Sequence, residues 1–258
     1  MKLPTLYPII DFSCFAAQAD AVWAAVRYAE ELMAAGAALI QLRDKSQPEQ
    51  PRRFLSCARE LRRVTLGKAT LIINDRVDIC LAADADGVHL GQDDLSPSAA
   101  RRIFDSVLSH PIAQLLGRTQ LLRERMGHPG ERIEQPAERI GHPEGIAVEE
   151  RDKTRKLLIG FSTHTLAQVR EADTLPVDYI AIGPVFATGS KMNPDPVVGL
   201  EGVRQARQAT GKPLVAIGGI TRLNCRQVRD AGADSVAVIS DLLESPAKAV
   251  AAFLGVLG

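Results

Sequence analysis

The chain has 258 residues, with 31 basic and 31 acidic side chains and a formal net charge of zero. That length is enough for one large buried core and is one that α/β barrels reach as a single domain, so one domain over 1–258 is expected. Balanced charge leaves no electrostatic footprint for nucleic acid or an anionic membrane surface, and no uninterrupted apolar stretch reaches the roughly 20 residues of a membrane span. The first ten residues enter a strand-like segment with no signal-type apolar region. Cys14, Cys57, Cys80 and Cys225 are scattered, without metal-ligand spacing, and read as reduced core thiols of a cytoplasmic protein.

Leu6 to Ile10 is a first apolar run, followed by an Ala-rich amphipathic helix from Ala21 to Ala35 that stops at Gly36. Ala38 to Leu42 makes a second strand and Gln50 to Leu66 a helix. Thr70 to Asn74 is a third strand, Val77 to Ala83 a short helix and Gly87 to Leu90 a fourth strand. Pro97 to Val107 reads as a helix, with Ser96 as N-cap and proline at its first position. Leu157 to Ile159 and Tyr179 to Ile182 give strands five and six around a helix from Leu166 to Ala172. Leu214 to Ile217 and Ser235 to Val238 give strands seven and eight around a helix from Leu223 to Ala231, and Ala247 to Leu257 closes the pattern. The strands are apolar without alternation, as strands covered on both faces are. About eight βα units with short connections specify an α/β fold, a (β/α)₈ TIM barrel.

One stretch breaks the rhythm. Residues 109–156 repeat Gly127-His128-Pro129-Gly130 as Gly141-His142-Pro143-Glu144 and carry many charges. They read as a loop insertion between strands four and five, partly disordered and solvated, with His128 and His142 as solvent-facing residues rather than metal ligands.

Polar residues cluster at the strand ends, where a barrel keeps its chemistry. Strand three closes in Asn74-Asp75 and strand four in Gly91-Gln92-Asp93-Asp94, so Asp75 and Asp94 are expected at neighbouring strand ends. Side-by-side carboxylates repel unless a proton or cation lies between them, and an oxygen-only pair suits Mg²⁺ shared with substrate phosphates. Gln41, Arg43 and Lys45 alternate onto one face at the end of strand two, which suits a diphosphate as well as a solvated rim. Gly218-Gly219 after strand seven and Ile239-Ser240 after strand eight fit a monophosphate site, with a tight turn as the alternative for the glycines and Thr221 expected to cap the next helix. Ser162, Thr163 and His164 follow strand five; Ser162 or Thr163 serves equally well as a helix N-cap, and no acid-oriented triad can be assigned. His89 is expected to be packed or hydrogen-bonded. Thr188, Ser190 and Lys191, with Asn193 to Pro196, suit a phosphate-clasping loop.

Gln41-Leu42-Arg43-Asp44-Lys45, Ile73 to Asp78, Asp86 to Asp94, Gly160 to His164, Gly183 to Lys191 and Ala216 to Ile220 occur in the order seen in thiamine-phosphate synthases, which the chain resembles over nearly its whole length outside the insert. The resemblance implies a magnesium-dependent transferase of thiamine biosynthesis. It would join (4-amino-2-methylpyrimidin-5-yl)methyl diphosphate to a thiazole phosphate through a dissociative, carbocation-like step, releasing pyrophosphate. By position it implies Gln41, Arg43, Lys45, Asn74, Ser162 and Lys191 as contacts to the diphosphate substrate, with Arg43, Lys45, Ser162 and Lys191 serving catalysis. Asp75 and Asp94 would be the Mg²⁺ ligands, and Thr188, Ser190, Gly219, Ile239 and Ser240 the thiazole-phosphate contacts. Ala187 and Ser190 depart from the residues that many relatives carry there. Alternatives are a thiazole tautomerase-like isomerase and a non-catalytic barrel that binds thiamine phosphates. Homo-oligomerisation is left open by the sequence.

Overall fold

The computed structural model describes residues 2–45, 51–109, 156–189 and 195–258. By internal contacts the chain divides into two units, Met1–Arg101 with Leu157–Gly258, and Arg102–Lys156. In the first, eight parallel strands close in chain order into a barrel: β1 (Leu6–Asp11), β2 (Leu39–Arg43), β3 (Thr70–Asn74), β4 (Gly87–Leu90), β5 (Leu158–Thr163), β6 (Tyr179–Ile182), β7 (Leu214–Ile217) and β8 (Ser235–Val238). The helices of the described residues are α1 (Ala21–Ala34), α2 (Pro51–Thr65), α3 (Val77–Ala82), α4 (Pro97–Ser109), α5 (Leu166–Thr174), α6 (Gly199–Ala209), α7 (Cys225–Asp230) and α8 (Pro246–Leu257). The (β/α)₈ architecture expected from the strand count is therefore observed.

Alternate positions of most of the strands meet in one buried cluster that includes Tyr7 and Ile9, Leu39, Ile72, Tyr179 and Ala181, Val215 and Ala237. Residues two apart on a strand share a face, so this set fills the barrel interior. A Cβ on Gly160 would lie 2.0 Å from Cζ of Tyr179; the missing side chain on β5 is what admits the Tyr179 ring.

The N-terminal rim carries three similar clamps. The Asp86 carboxylate accepts from the Leu71 N–H at 2.6 Å and from Arg62 of α2 at 3.2 Å. Asp178 accepts from the Ile159 N–H at 2.8 Å and from Arg101 of α4 at 2.6 Å, and Asp234 accepts from the Leu214 N–H at 2.8 Å and from Arg207 of α6 at 2.6 Å. In each case an aspartate just before an even strand ties down the preceding odd strand and a helix. Arg101 also donates to the Leu157 carbonyl at 2.8 Å, where the chain enters β5.

Several expectations are corrected. Helix α6 lies between β6 and β7, where none was expected; it contains two glycines, and Val203 and Ala206 are its only buried residues, too few for an apolar period to show. Strand β5 runs to Thr163 rather than ending at Ile159, so neither Ser162 nor Thr163 caps α5. That role belongs to Thr165, in a capping box with Gln168, while the Thr163 hydroxyl donates to the Ala181 carbonyl at 2.8 Å. Ser109 is the last residue of α4 rather than the first of the insert. Ser96 does accept from the Ala99 N–H at 3.3 Å, as its N-cap assignment requires. Cys57, Cys80 and Cys225 are buried free thiols, but Cys14 is exposed. The repeats around His128 and His142 lie outside the described residues. No helix of the described residues is long and apolar enough to cross a membrane.

Candidate active site

A cavity of about 430 Å³ opens among the C-terminal strand ends. Gln41, Arg43, Lys45, Asn74, Asp75, Asp94, Ser162, Thr188, Gly219, Ile239 and Ser240 all line it, so sequence reasoning and geometry converge on one place. Ser190 and Lys191 lie outside the described residues. Apolar Ile9, Ala181, Ile217 and Ala237 also line the cavity.

The side formed by β2 to β4 is charged. Arg43 is ion-paired with Asp11, a partner the sequence did not suggest, and Lys45 Nζ lies 2.6 Å from Asp75 Oδ2. Asp75 adopts φ 61°, a left-handed conformation that aspartate tolerates better than most residues, and its N–H donates to the His89 carbonyl at 2.7 Å. Asp94 is held by the Gly91 N–H, which donates to Oδ2 at 2.7 Å. Burial, and then Asp94 within hydrogen-bonding reach, push the Asp75 carboxyl up to about 6 against the opposing pull of Lys45. Asp75 and Asp94 thus form the close carboxylate pair expected at neighbouring strand ends.

Ser162 meets a histidine, but not in a triad. Its Oγ lies 2.8 Å from His89 Nε2, while His89 Nδ1 faces the Tyr179 hydroxyl at 3.1 Å instead of a carboxylate. Burial drives the His89 imidazolium down to about 4, so the ring is neutral at physiological pH. His89 is hydrogen-bonded, as expected, and it also lines the cavity.

The side formed by the loops after β6, β7 and β8 includes Thr188, Ser240 and two adjacent glycines. Gly218 and Gly219 have φ 99° and 64°, and Cβ atoms there would lie 2.6 Å from Pro184 Cα and 2.5 Å from the Ala187 carbonyl oxygen. Glycine is required at both for conformation and for space, which covers the turn and the anion reading alike. Asn224 braces this turn: Nδ2 donates to the Gly219 carbonyl at 3.0 Å and Oδ1 accepts from the Thr221 N–H at 2.8 Å. Asn224, rather than Thr221, occupies the N-cap of α7, without a side-chain cap bond. Ser240 begins a 3₁₀ turn, Ser240–Leu242, directly after Ile239.

A family described as thiamine monophosphate synthase matches residues 12–109 and 140–242. The chain belongs to this family. It is 43% identical over 257 residues to the thiamine-phosphate synthase of Koribacter versatilis, covering all of this chain and 97% of that protein. It is 36% identical to the thiamine-phosphate synthase of Albidiferax ferrireducens, covering 96% and 88%. Among solved structures, a thiamine phosphate pyrophosphorylase from Pyrococcus furiosus superposes with a TM-score of 0.69 at 28% identity, covering 98% of this chain and 95% of that one. A 3-hexulose-6-phosphate synthase at 14% identity and TM-score 0.60 shares the barrel alone.

Within this synthase-family site, three polar residues had not been anticipated as a group. His164, Gln168 and Asp195 line the cavity together: Gln168 Oε1 accepts from the His164 N–H at 2.7 Å, His164 Nδ1 lies 2.6 Å from the Gly183 carbonyl oxygen, and Asp195 Oδ2 lies 3.5 Å from the same nitrogen. The sequence places His164 after strand five and Asp195 in the loop after strand six, but for Gln168 its signal is the Thr165-x-x-Gln168 capping pattern.

Proposed function

We propose that this chain joins (4-amino-2-methylpyrimidin-5-yl)methyl diphosphate to a thiazole phosphate, giving thiamine phosphate and pyrophosphate. The observation that carries the reading is one cavity with two unlike anion-accepting sides, in a chain of the thiamine monophosphate synthase family. The charged side, with Gln41, Arg43, Lys45, Asn74 and Ser162, suits the pyrimidine diphosphate. The glycine turn, Thr188, Ile239 and Ser240 suit the phosphate of the thiazole. Ser190 and Lys191, which follow β6 in the sequence, complete the two sets in this reading.

Asp75 and Asp94 fit Mg²⁺. They offer only oxygen donors, Asp94 lies close enough to disfavour ionisation of Asp75, and a bound cation would relieve that cost. Among the described residues no cluster of three His, Cys, Asp or Glu side chains is placed to hold a metal, which matches an ion completing its shell with water and substrate phosphates. When bound, Mg²⁺ supplies charge neutralisation for the departing diphosphate.

The residues then divide the work. The bond from the pyrimidine methylene carbon to the diphosphate oxygen breaks with its electron pair leaving on oxygen, and Lys45 and Arg43 bring positive charge to that side. The lone pair of the thiazole nitrogen forms the new bond to the methylene carbon. No proton is removed in this step, which agrees with a Ser162-His89 pair that no carboxylate orients. The glycine turn anchors the thiazole phosphate so that its nitrogen meets the carbon before water does. The four cysteines are free thiols, in keeping with the reducing cytoplasm as the place of this chemistry.

The test is to incubate the purified chain with both substrates and Mg²⁺ and follow thiamine phosphate and pyrophosphate by mass, with and without EDTA. Both products are expected, and only with the metal. A well-folded protein that makes neither would overturn the reading.

A further inference from the structure

Five side chains from five strands form one continuous run of hydrogen bonds through the barrel interior. Gln41 Nε2 donates to the Tyr7 hydroxyl at 2.9 Å, and the Tyr7 and Tyr179 hydroxyls meet at 2.8 Å. Tyr179 lies 3.1 Å from His89 Nδ1, and His89 Nε2 lies 2.8 Å from Ser162 Oγ. The two ends, Gln41 and Ser162, line the cavity; Tyr7, Tyr179 and His89 are buried. The run is built in: Gly160, paired in register with Tyr179, leaves the space its ring occupies.

Counting protons gives the run a direction. A phenol has one hydrogen to donate, and a buried one keeps it bonded. Tyr7 already accepts from the Gln41 amide nitrogen, so its own hydrogen goes to Tyr179. Tyr179 therefore directs its hydrogen to His89 Nδ1. A ring nitrogen that accepts is unprotonated, so the neutral ring carries its hydrogen on Nε2 and donates it to Ser162. The opposite direction fails at its last step, because an amide NH₂ group cannot accept.

We propose that Tyr7, Tyr179 and His89 are positioning residues that fix the Ser162 hydroxyl as a hydrogen-bond donor to an acceptor atom of the pyrimidine diphosphate. With its lone pairs facing His89, Ser162 has its hydrogen left for the cavity. A ring nitrogen or a phosphate oxygen of the substrate is matched there, and a donor group is refused. The inference rests on the synthase reading for its substrate and on the barrel interior for its direction.

Two measurements test it. In turnover, Tyr179→Phe and Ser162→Ala should each lower kcat/KM for the pyrimidine diphosphate by about three- to tenfold. The double variant should lose no more than Ser162→Ala alone, because both changes remove one effect. Losses that multiply instead would mean that Tyr179 does not act through Ser162 and would overturn the proposal. Weaker inhibition of Ser162→Ala by inorganic pyrophosphate assigns the acceptor to a phosphate oxygen, and unchanged inhibition assigns it to the ring; both require the donor. Independently of turnover, the ¹⁵N spectrum of histidine-labelled wild-type protein should show His89 with hydrogen on Nε2 and a bare Nδ1. The other tautomer would overturn the relay even in an active enzyme. Wild-type protein without product would overturn the synthase reading, while the tautomer would still decide the direction of the run.

Discussion

The two sides of the cavity are built from different materials. Between β2 and β4 stand ionised side chains, with Lys45 at 2.6 Å from Asp75 and Arg43 paired with Asp11. Around the ends of β6 to β8 stand two adjacent glycines at positive φ, with Thr188 and Ser240 lining the same cavity. In the proposed assignment of the two substrates, the difference follows what each side is asked to do. A leaving diphosphate gains charge as its bond breaks, so its site needs cations that act in the transition state. The thiazole phosphate keeps its charge throughout, and backbone N–H groups that hold it firmly are enough.

The largest effect should come from attacking the charged side. Asp75→Asn is expected to reduce Mg²⁺-dependent turnover by roughly two orders of magnitude or more with the barrel folded, read as product formation against circular dichroism; wild-type turnover would remove Asp75 from the metal site. On the glycine side, Gly219→Ala would place a methyl 2.5 Å from the Ala187 carbonyl oxygen. It should raise KM for the thiazole phosphate about tenfold and leave KM for the diphosphate substrate nearly unchanged. Equal changes in both constants would mean that the two sides are not separable.

A smaller effect concerns stability. Asp75 titrates near 6 in the folded protein, above its ordinary value of 3.8, so the folded state binds this proton more tightly than the unfolded state. Its contribution is present below pH 3.8 and is lost as pH rises through 6, by about 3 kcal/mol without metal. In EDTA at pH 7.5, Asp75→Asn should therefore melt higher than wild type, offset in part by the lost Lys45 pair; a lower melting temperature would contradict the raised value. Smallest of all, deleting residues 127–145 should leave kcat/KM within about twofold, since loop length changes closure entropy only slowly. A large loss with preserved folding would tie that stretch to catalysis.

Much of this site could be read from the chain because buried parallel strands are plain apolar runs, so a polar residue at a strand end stands out. Asp75, Asp94 and the alternation of Gln41, Arg43 and Lys45 were legible for that reason. What stayed hidden depended on strands meeting across the barrel. Nothing near His89 in sequence announces Tyr179, ninety residues away, or the glycine that makes room for it. Arg43 looked like a cation awaiting phosphate because Asp11 lies 32 residues upstream. Helix α6 escaped because two buried side chains and two glycines make no amphipathic stripe.

The clamp at Arg101 has a consequence for protein engineering. Its guanidinium grips the Leu157 carbonyl and Asp178, so the point where the chain re-enters the barrel is anchored from α4 itself, whatever separates them in sequence. Leu157 precedes β5 at the N-terminal rim, and the chemistry sits at the C-terminal ends of the strands. The entry to β5 is thus stapled within the barrel: sequence changes between Arg101 and Leu157 that spare Arg101 and Asp178 leave that attachment point held.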